Sequence, residues 1–231
     1  MYDPQLAYDC ALLSKKAYGP EAISCGETQF IIGDIASGRF AGCQYLAFRG
    51  TESPLDWLTD ANVDRVGYRG FQVHEGFLRA YRSAYASIVS KLDVNRSLII
   101  TGHSLGGALA TLAAYDLLMS GFLVNAVYTF GSPRVGCKRF AAAFNLEFRN
   151  RSYRIIHSAD IVCRLPTPWR YRHVDASVFY DHDKPGVMDV LPWYYGLIET
   201  AQHLIHFRAG HNIKDHFIDG YISALTFKED L

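Results

Sequence analysis

Apolar residues along this chain of 231 residues recur with two alternating periods, which predict short buried strands interleaved with amphipathic helices. Runs of β-branched and aromatic residues bounded by polar or turn residues predict strands at 28–33, 43–49, 97–101, 124–130, 153–157 and 171–179. Apolar stripes at helical spacing predict helices that begin at Asp3-Pro4 and near 217, and helices over about 75–92, 107–119 and 138–148. Strands that alternate with helices predict an α/β fold in which a mostly parallel central sheet has helices on both faces.

Residues 52–72 depart from both periods because their polarity is mixed and Pro54, Gly67 and Gly70 interrupt them. We predict a loop with at most a short helix in this stretch. The chain contains no internal repeat, low-complexity tract or linker-like stretch. A single domain over residues 1–231 is therefore expected.

Composition and charge exclude several classes of function. Lys and Arg together number 23 and Asp and Glu also number 23, so no overall charge attracts the chain to nucleic acid or to an anionic membrane. No nucleic-acid-binding motif is present, and no nucleic-acid partner is expected. No apolar run is long enough to span a bilayer, so no transmembrane segment is expected.

The first ten residues, MYDPQLAYDC, show no basic region followed by an apolar one, so no secretory signal peptide is visible. This observation leaves three locations open: the cytoplasm, export without a leader, and secretion followed by processing.

The five cysteines are odd in number and lack C-x-x-C spacing, which favours reduced, buried thiols. Cys25 and Cys43 lie on neighbouring predicted strands and could form a disulfide, which the sequence alone does not decide. Histidines 203, 206, 211 and 216 cluster in the sequence, but no cysteine or carboxylate completes a recognisable ligand spacing. No metal or other cofactor is expected.

Residues 97–110, SLIITGHSLGGALA, carry the most specific functional signal in the chain. A predicted strand leads into Gly-His-Ser-Leu-Gly, and a predicted helix follows, which is the context of a nucleophile elbow. Flanking glycines leave room in a strained turn that presents a serine hydroxyl above the sheet. We therefore predict that Ser104 is a catalytic nucleophile.

A serine hydroxyl attacks an ester only when a histidine accepts its proton and a carboxylate orients that histidine. In strand–elbow–helix hydrolases the acid and then the histidine follow the serine along the chain. Asp160 comes just past the end of a predicted strand, where catalytic groups of α/β sheets gather, and is the favoured acid. Its rivals are Asp175, within a predicted strand, and Asp181 and Asp183, in a polar loop. His157 precedes Asp160 and is predicted to be a packed or polar-rim histidine rather than the base.

Chain order alone admits six histidines as the base, at positions 173, 182, 203, 206, 211 and 216. His216 is favoured because it directly precedes the last predicted helix, which would fix its position. His211 is the alternative, since the adjacent Asn212 could itself cap a longer helix.

Six motifs together resemble the class 3 (fungal-type) lipase family of α/β-hydrolases. They are FRGT at 48–51, Trp57 six residues after that Thr, VHEGFLRAY at 73–81, TGHSLGGALA at 101–110, TFGSPRVG at 129–136 and HSADIV at 157–162. The resemblance implies that Ser104 is the nucleophile and Asp160 the acid of a triad. It also implies that Thr51 and the backbone N–H of Leu105 form the oxyanion hole, and that residues 52–70 form a lid with Trp57 on its inner face.

The family's histidine motif, roughly His-x-apolar-x-x-Tyr-apolar, fits His216 with Ile218, Tyr221 and Ile222 better than it fits His211. Cys163 stands where the family usually has proline. The resemblance implies a serine ester hydrolase that acts on acylglycerols or related apolar carboxylic esters, which can lie at a lipid–water interface. The alternative is a phospholipase A1 or a short-chain or feruloyl-type carboxylesterase. A non-catalytic binding module remains a further alternative. Residues 187–207, rich in apolar side chains, could line an acyl pocket or pack in the core.

Overall fold

The computed structural model describes residues 2–51, 64–158, 160–174, 176–180, 188–189 and 214–226. These residues form an eight-stranded sheet and a separate two-stranded hairpin. The strands are β1 (Ile23–Cys25), β2 (Thr28–Asp34), β3 (Gln44–Phe48), β4 (Arg65–Tyr68), β5 (Phe71–His74), β6 (Leu98–His103), β7 (Val124–Phe130), β8 (Ser152–His157), β9 (Ala176–Tyr180) and β10 (Met188–Asp189).

The large sheet has the order β1-β2-β3-β6-β7-β8-β9-β10. Its five central strands, from β3 to β9, pair in parallel. The outer pairings are antiparallel, with β1 and β2 beyond one side and β10 beyond the other. The predicted mostly parallel sheet is therefore confirmed, and the parallel centre brings the carboxyl ends of β6, β7 and β8 to one edge.

In the described ranges, five helices cover the two faces of the sheet: α1 (Pro4–Lys16), α2 (Glu75–Val89), α3 (Leu105–Met119), α4 (Lys138–Glu147) and α5 (Ile218–Leu225). The first starts where the sequence predicts, because the Asp3 side chain accepts a hydrogen bond from the Leu6 N–H at 3.1 Å. Helices α1 and α5 pack on one face, and α2, α3 and α4 on the other. Helices on both faces are thus also confirmed.

The strands divide their apolar side chains between these two layers. Along β6, Leu98 and Ile100 enter the core beneath α2–α4, whereas Ile99 enters the core beneath α1 and α5. This alternation follows the period of two in an extended strand. Both faces of the central strands are buried, which explains their nearly continuous apolar sequence.

The predicted loop at 52–72 is wrong in its second half, where β4 and β5 form a hairpin. Arg69 and Gly70 occupy its two-residue turn with φ of 46° and 82°. Two left-handed residues are what a tight hairpin turn requires, and Arg is an uncommon residue at such a position. That atypical turn residue is why the sequence did not reveal the hairpin.

The predicted strand at 171–179 is shorter than expected, because β9 begins only at Ala176. Tyr171 instead follows a turn at 168–170, and Arg172 forms an isolated bridge with Gly136 before α4, in which the Arg172 N–H donates to the Gly136 carbonyl at 2.8 Å. The short strands β1 and β10 were not predicted. No helix among the described residues is long and apolar enough to cross a membrane.

All five cysteines lie in the described part of the chain, and none forms a disulfide. Cys10 and Cys163 are buried and the other three are half-buried, so the expected burial holds for two. Cys25 pairs with Thr28 at the start of β2, whereas Cys43 pairs with Ile35 just past its end. The length of β2 separates the two thiols by roughly 20 Å, far beyond disulfide reach.

Candidate active site

Ser104 lies in the sharp turn between β6 and α3, as the elbow motif predicts. Its backbone has φ 59° and ψ −129°, a strained conformation for a residue with a side chain. The Ser104 N–H donates to the Phe130 carbonyl at 2.9 Å, and the Ser104 carbonyl accepts from the Gly107 N–H at 2.9 Å. These bonds hold the strained turn against the end of β7.

Two glycines of the motif are required by close approaches of the backbone. A Cβ on Gly102 would lie 2.2 Å from the Gly106 carbonyl oxygen, and one on Gly106 would lie 2.3 Å from the Phe48 carbonyl oxygen. Neither contact is possible for a side chain. The end of β6, the start of α3 and the end of β3 are thus packed backbone to backbone around Ser104.

His216 connects the other two favoured residues. It lies in a 3-10 turn, Lys214–His216, directly before α5. Its Nε2 is 2.8 Å from Ser104 Oγ, and its Nδ1 is 2.8 Å from one carboxylate oxygen of Asp160 and 3.0 Å from the other. The three residues, each exposed by no more than 3%, form a continuous hydrogen-bonded array through their side chains.

Asp160 is held as a carboxylate by donors on both oxygens. Burial alone would raise the pKa of Asp160, but attraction to His216 and hydrogen bonds from His216, Tyr221 and Val162 lower it below its usual value. The Val162 N–H donates to Oδ1 at 2.8 Å and the Tyr221 hydroxyl to Oδ2 at 2.5 Å. Burial and the Asp160 charge raise the pKa of Tyr221 well above its usual value, so this phenol stays a donor.

His103 contacts the backbone of His216 and the side chain of Tyr18. Its Nε2 lies 2.6 Å from the His216 carbonyl oxygen and its Nδ1 lies 2.9 Å from the Tyr18 hydroxyl. Burial, and then the electrostatic effect of the neighbouring His216, lower the pKa of His103 to about 3. His103 is therefore a neutral bridge between Tyr18, just past the end of α1, and the His216 backbone.

The sequence did not predict a supporting role for His103 or Tyr221. His103 belongs to the elbow motif at 101–110, and Tyr221 belongs to the histidine motif that begins at His216. Their positions in those motifs were the available signal. The contacts that define their roles reach across the fold, from residue 103 to 216 and from 221 to 160.

Thr51 and Leu105, the predicted oxyanion residues, line one cavity of about 480 Å³ that also reaches Arg49 and Gly50. A Cβ on Gly50 would lie 3.0 Å from the Ser104 Cβ, so the chain leading into Thr51 passes directly beside the predicted nucleophile. The structure thus brings both predicted oxyanion residues to the elbow.

His157 and His173 contact backbone carbonyl oxygens, whereas His74 accepts a hydrogen bond from the Phe77 N–H. His157 is buried, as predicted, with Nδ1 3.0 Å from the Asp215 carbonyl oxygen. His173 Nε2 is 2.6 Å from the Cys163 carbonyl oxygen, and burial lowers its pKa well below the usual value. Within the described ranges, no three His, Cys, Asp or Glu side chains are grouped to hold a metal ion.

Several predictions fall outside the described residues. These are the alternative base His211, the lid residue Trp57, the rival acids Asp175, Asp181 and Asp183, and histidines 182, 203 and 206. The same holds for residues 52–63 of the predicted lid, whereas residues 65–70 lie in the hairpin. Of the apolar stretch 187–207, only Met188 and Asp189 are described, in β10.

Comparisons with known proteins agree on one family. A family model described as "Lipase (class 3)" matches residues 45–169. A secreted mono- and diacylglycerol lipase of Fusarium solani is 36% identical over 146 residues, which cover 59% of this chain and 43% of that protein. The chloroplastic phospholipase A(1) DAD1 of Arabidopsis thaliana is 30% identical over 225 residues, which cover 78% of this chain and 50% of that protein.

Solved structures show the same relationship. The triacylglyceride lipase of Rhizomucor miehei superimposes with a TM-score of 0.68 at 25% identity, over 81% of this chain and 83% of that one. The chain spans about half the length of the curated relatives it matches. The family model covers more than half of the 231 residues, including the elbow and Asp160. The chain therefore belongs to the class 3 lipase family and has the α/β-hydrolase fold.

Proposed function

We propose that this protein is a serine hydrolase of carboxylic esters, with Ser104 as nucleophile, His216 as base and Asp160 as the orienting acid. One observation carries the proposal: His216 lies 2.8 Å from Ser104 Oγ through one ring nitrogen and 2.8 Å from the Asp160 carboxylate through the other. That geometry lets the imidazole accept the serine proton while the carboxylate fixes its tautomer.

In the proposed reaction, Ser104 Oγ forms a bond to the acyl carbonyl carbon as its proton passes to His216 Nε2. Backbone N–H groups of Thr51 and Leu105, helped by the Thr51 hydroxyl, stabilise the resulting oxyanion. The tetrahedral intermediate expels the alcohol, which takes the proton from His216. Water, activated by the same histidine, then hydrolyses the acyl-enzyme and restores Ser104. Asp160 stabilises the imidazolium at each step, and no cofactor is needed.

The proposed substrates are acylglycerols or related apolar esters. This class is supported by family membership and by the similarity to a mono- and diacylglycerol lipase. Ser104 has no exposed surface in this structure, so neighbouring groups must move before an ester carbonyl reaches Oγ. A phospholipase A1 activity is the second candidate, because a phospholipase A(1) matches the longest stretch of this chain among the relatives described above.

The experiment that tests the triad is covalent labelling with a fluorophosphonate, followed by hydrolysis of a soluble p-nitrophenyl ester. The fluorophosphonate should label wild-type protein at Ser104 and should not label Ser104→Ala. The variant should hydrolyse the ester more slowly by a factor on the order of 10⁶. His216→Ala should be nearly inactive and His211→Ala should keep most activity. Absence of labelling in folded wild-type protein would favour a binding module instead.

Substrate class is tested in one series. Activity on p-nitrophenyl esters of increasing chain length is compared with activity on emulsified triglyceride and on phospholipid. A preference for long chains and emulsions would support a lipase, and release of fatty acid from phospholipid would support a phospholipase A1. Activity confined to short soluble esters would indicate a carboxylesterase.

A further inference from the structure

The loop of residues 167–172, TPWRYR, presents a tryptophan to solvent. Trp169 is 92% exposed, the largest exposure among the large apolar side chains that the structure describes. Thr167, Pro168 and Arg170 beside it are also exposed, whereas Tyr171 is buried and anchors the loop. A tryptophan side chain this exposed buries little apolar surface within the fold. The groups around it therefore indicate which kind of partner it contacts.

This loop lies at the edge of the sheet where the proposed triad is placed. Ser104 and Asp160 follow the carboxyl ends of β6 and β8, and Gly136 follows the carboxyl end of β7. The Arg172 N–H donates to the Gly136 carbonyl at 2.8 Å, which attaches the loop to that same edge. The Tyr171 hydroxyl also donates to the Asp64 carbonyl at 3.4 Å, directly before the hairpin.

Positive charge surrounds the tryptophan. Arg170 and Arg172 belong to the loop, and Arg65 of β4 donates to the Arg170 carbonyl at 3.2 Å. None of the three arginines forms an ion pair with a carboxylate in the described part of the chain. Residues 161–174 contain no Asp or Glu, although the whole chain is neutral. The loop itself is therefore positively charged, although the Asp64 carboxylate lies close enough to act on Tyr171.

We infer that the 167–172 loop is a docking surface for anionic lipid, which seats the carboxyl edge of the sheet on the surface that contains the substrate. Tryptophan is favoured at the boundary between headgroups and acyl chains, and unpaired arginines are attracted to anionic headgroups. The inference rests on the proposed function, because docking at this edge has a role only when the substrate lies in a lipid surface.

The test uses the full chain with Ser104→Ala, so that vesicles are not hydrolysed, and measures co-sedimentation with phosphatidylcholine vesicles with or without phosphatidylglycerol. Parent protein should bind the anionic vesicles more strongly, and added salt should weaken this binding. Arg170→Gln should lower the anionic partition coefficient about fivefold, and Arg170→Lys should retain it. Trp169→Ala should lower binding to both compositions.

Matched controls come from the opposite edge, where α4 ends before β8 begins. Leu146 is 77% exposed there and Arg149 is exposed two residues after α4. Leu146→Ala and Arg149→Gln should bind as the parent does. Equal losses in these controls, or equal losses in Arg170→Lys and Arg170→Gln, would overturn the inference.

Soluble-ester hydrolysis separates this inference from the proposed function. With Ser104 intact, Trp169→Ala and Arg170→Gln should hydrolyse a short p-nitrophenyl ester at the wild-type rate. If wild-type protein hydrolyses the soluble ester normally but the parent Ser104→Ala protein does not bind anionic vesicles, the docking surface is refuted. The proposed triad is unaffected by that result. Salt-sensitive binding to polyglutamate without vesicle binding would assign the loop to an acidic protein partner instead.

Discussion

Asp160 remains charged inside the protein because three donors, His216, Tyr221 and the Val162 N–H, share its two oxygens. A buried carboxylate without such donors would take up a proton. The charge that these bonds preserve is also what fixes the tautomer of His216 and favours its imidazolium. At the scale of one residue, stability and proposed catalysis therefore depend on the same hydrogen bonds.

Asp160→Asn should lower kcat by about 10⁴ while the fold is kept. The amide is isosteric, but its NH₂ group favours the tautomer of His216 that cannot accept the Ser104 proton. Hydrolysis of a p-nitrophenyl ester measures the loss, and circular dichroism checks the fold. If Asp175→Asn or Asp181→Asn is the damaging substitution instead, the acid lies in another loop.

Tyr221→Phe removes a donor from Asp160 without removing the ring that packs under it. The pKa of Asp160 should rise, because the ionised carboxylate loses its Tyr221 hydrogen bond. The acid side of the kcat/KM profile should therefore move to higher pH, with a smaller change in KM. A uniform loss of activity at every pH, with no movement of the profile, would indicate that Tyr221 only packs.

The triad residues were accessible from sequence because few residue types can perform each role and chain order restricts where they stand. Supporting residues are not restricted in this way. A tyrosine or a histidine in a motif is compatible with many contacts, and only the fold brings Tyr221 to Asp160 and His103 to the His216 carbonyl.

At the scale of elements, the elbow depends on glycine at the end of β6. Gly102→Ala would place a Cβ 2.2 Å from the Gly106 carbonyl oxygen, which is backbone of α3 and cannot rotate away. We expect a loss of about 1–3 kcal/mol in the free energy of unfolding, and a large loss of activity as Ser104 moves.

Gly67→Ala is the matched control, because a Cβ on this exposed glycine of β4 meets no atom within 4 Å. Its free energy of unfolding should stay within about 0.5 kcal/mol of the wild type. Urea unfolding measures both variants. Comparable stability of Gly102→Ala and Gly67→Ala would show that α3 can shift away from β6 without cost.

Element types were predictable where an apolar stripe at helical spacing or a bounded apolar run spanned the whole element, as in α2 and β6. Prediction was wrong where the turn chemistry was atypical or the pairing was local. The β4–β5 hairpin turns at Arg69-Gly70, and Arg172, inside the predicted strand, instead forms an isolated bridge with Gly136. The order of the strands in the sheet depends on tertiary packing, which the periodicity of the sequence does not reveal.

At the scale of the whole molecule, several histidines are held neutral, which makes the fold sensitive to acid. Burial lowers the pKa of His103 to about 3 and, with the charge of Arg79 added, that of His74 to about 4. Burial also lowers the pKa of His173 well below its usual value. In the unfolded chain each would be protonated near its ordinary value of 6.5. Their stabilising contribution is therefore complete above pH 6.5 and lost as pH falls toward 3.

The free energy of unfolding should decrease between pH 6.5 and 4 by up to about 1.4 kcal/mol per pH unit for each such histidine. His74 allows this slope to be tested at one residue, because its Nδ1 accepts the capping hydrogen bond from the Phe77 N–H at 3.4 Å at the start of α2. Protonation removes that acceptor. His74→Asn keeps a side-chain acceptor at the cap but has no proton to gain.

Urea unfolding of wild type and His74→Asn across this pH range measures the difference. The variant loses the stacking of His74 on Phe77, whose ring centroids are 3.8 Å apart, and should be less stable by a similar amount at every pH above 6.5. Below pH 6.5 its stability should fall less steeply than that of the wild type, so the two curves converge toward pH 4. Parallel curves over the whole range would mean that His74 has the same pKa in the folded and unfolded chain, and that acid acts through the other buried groups.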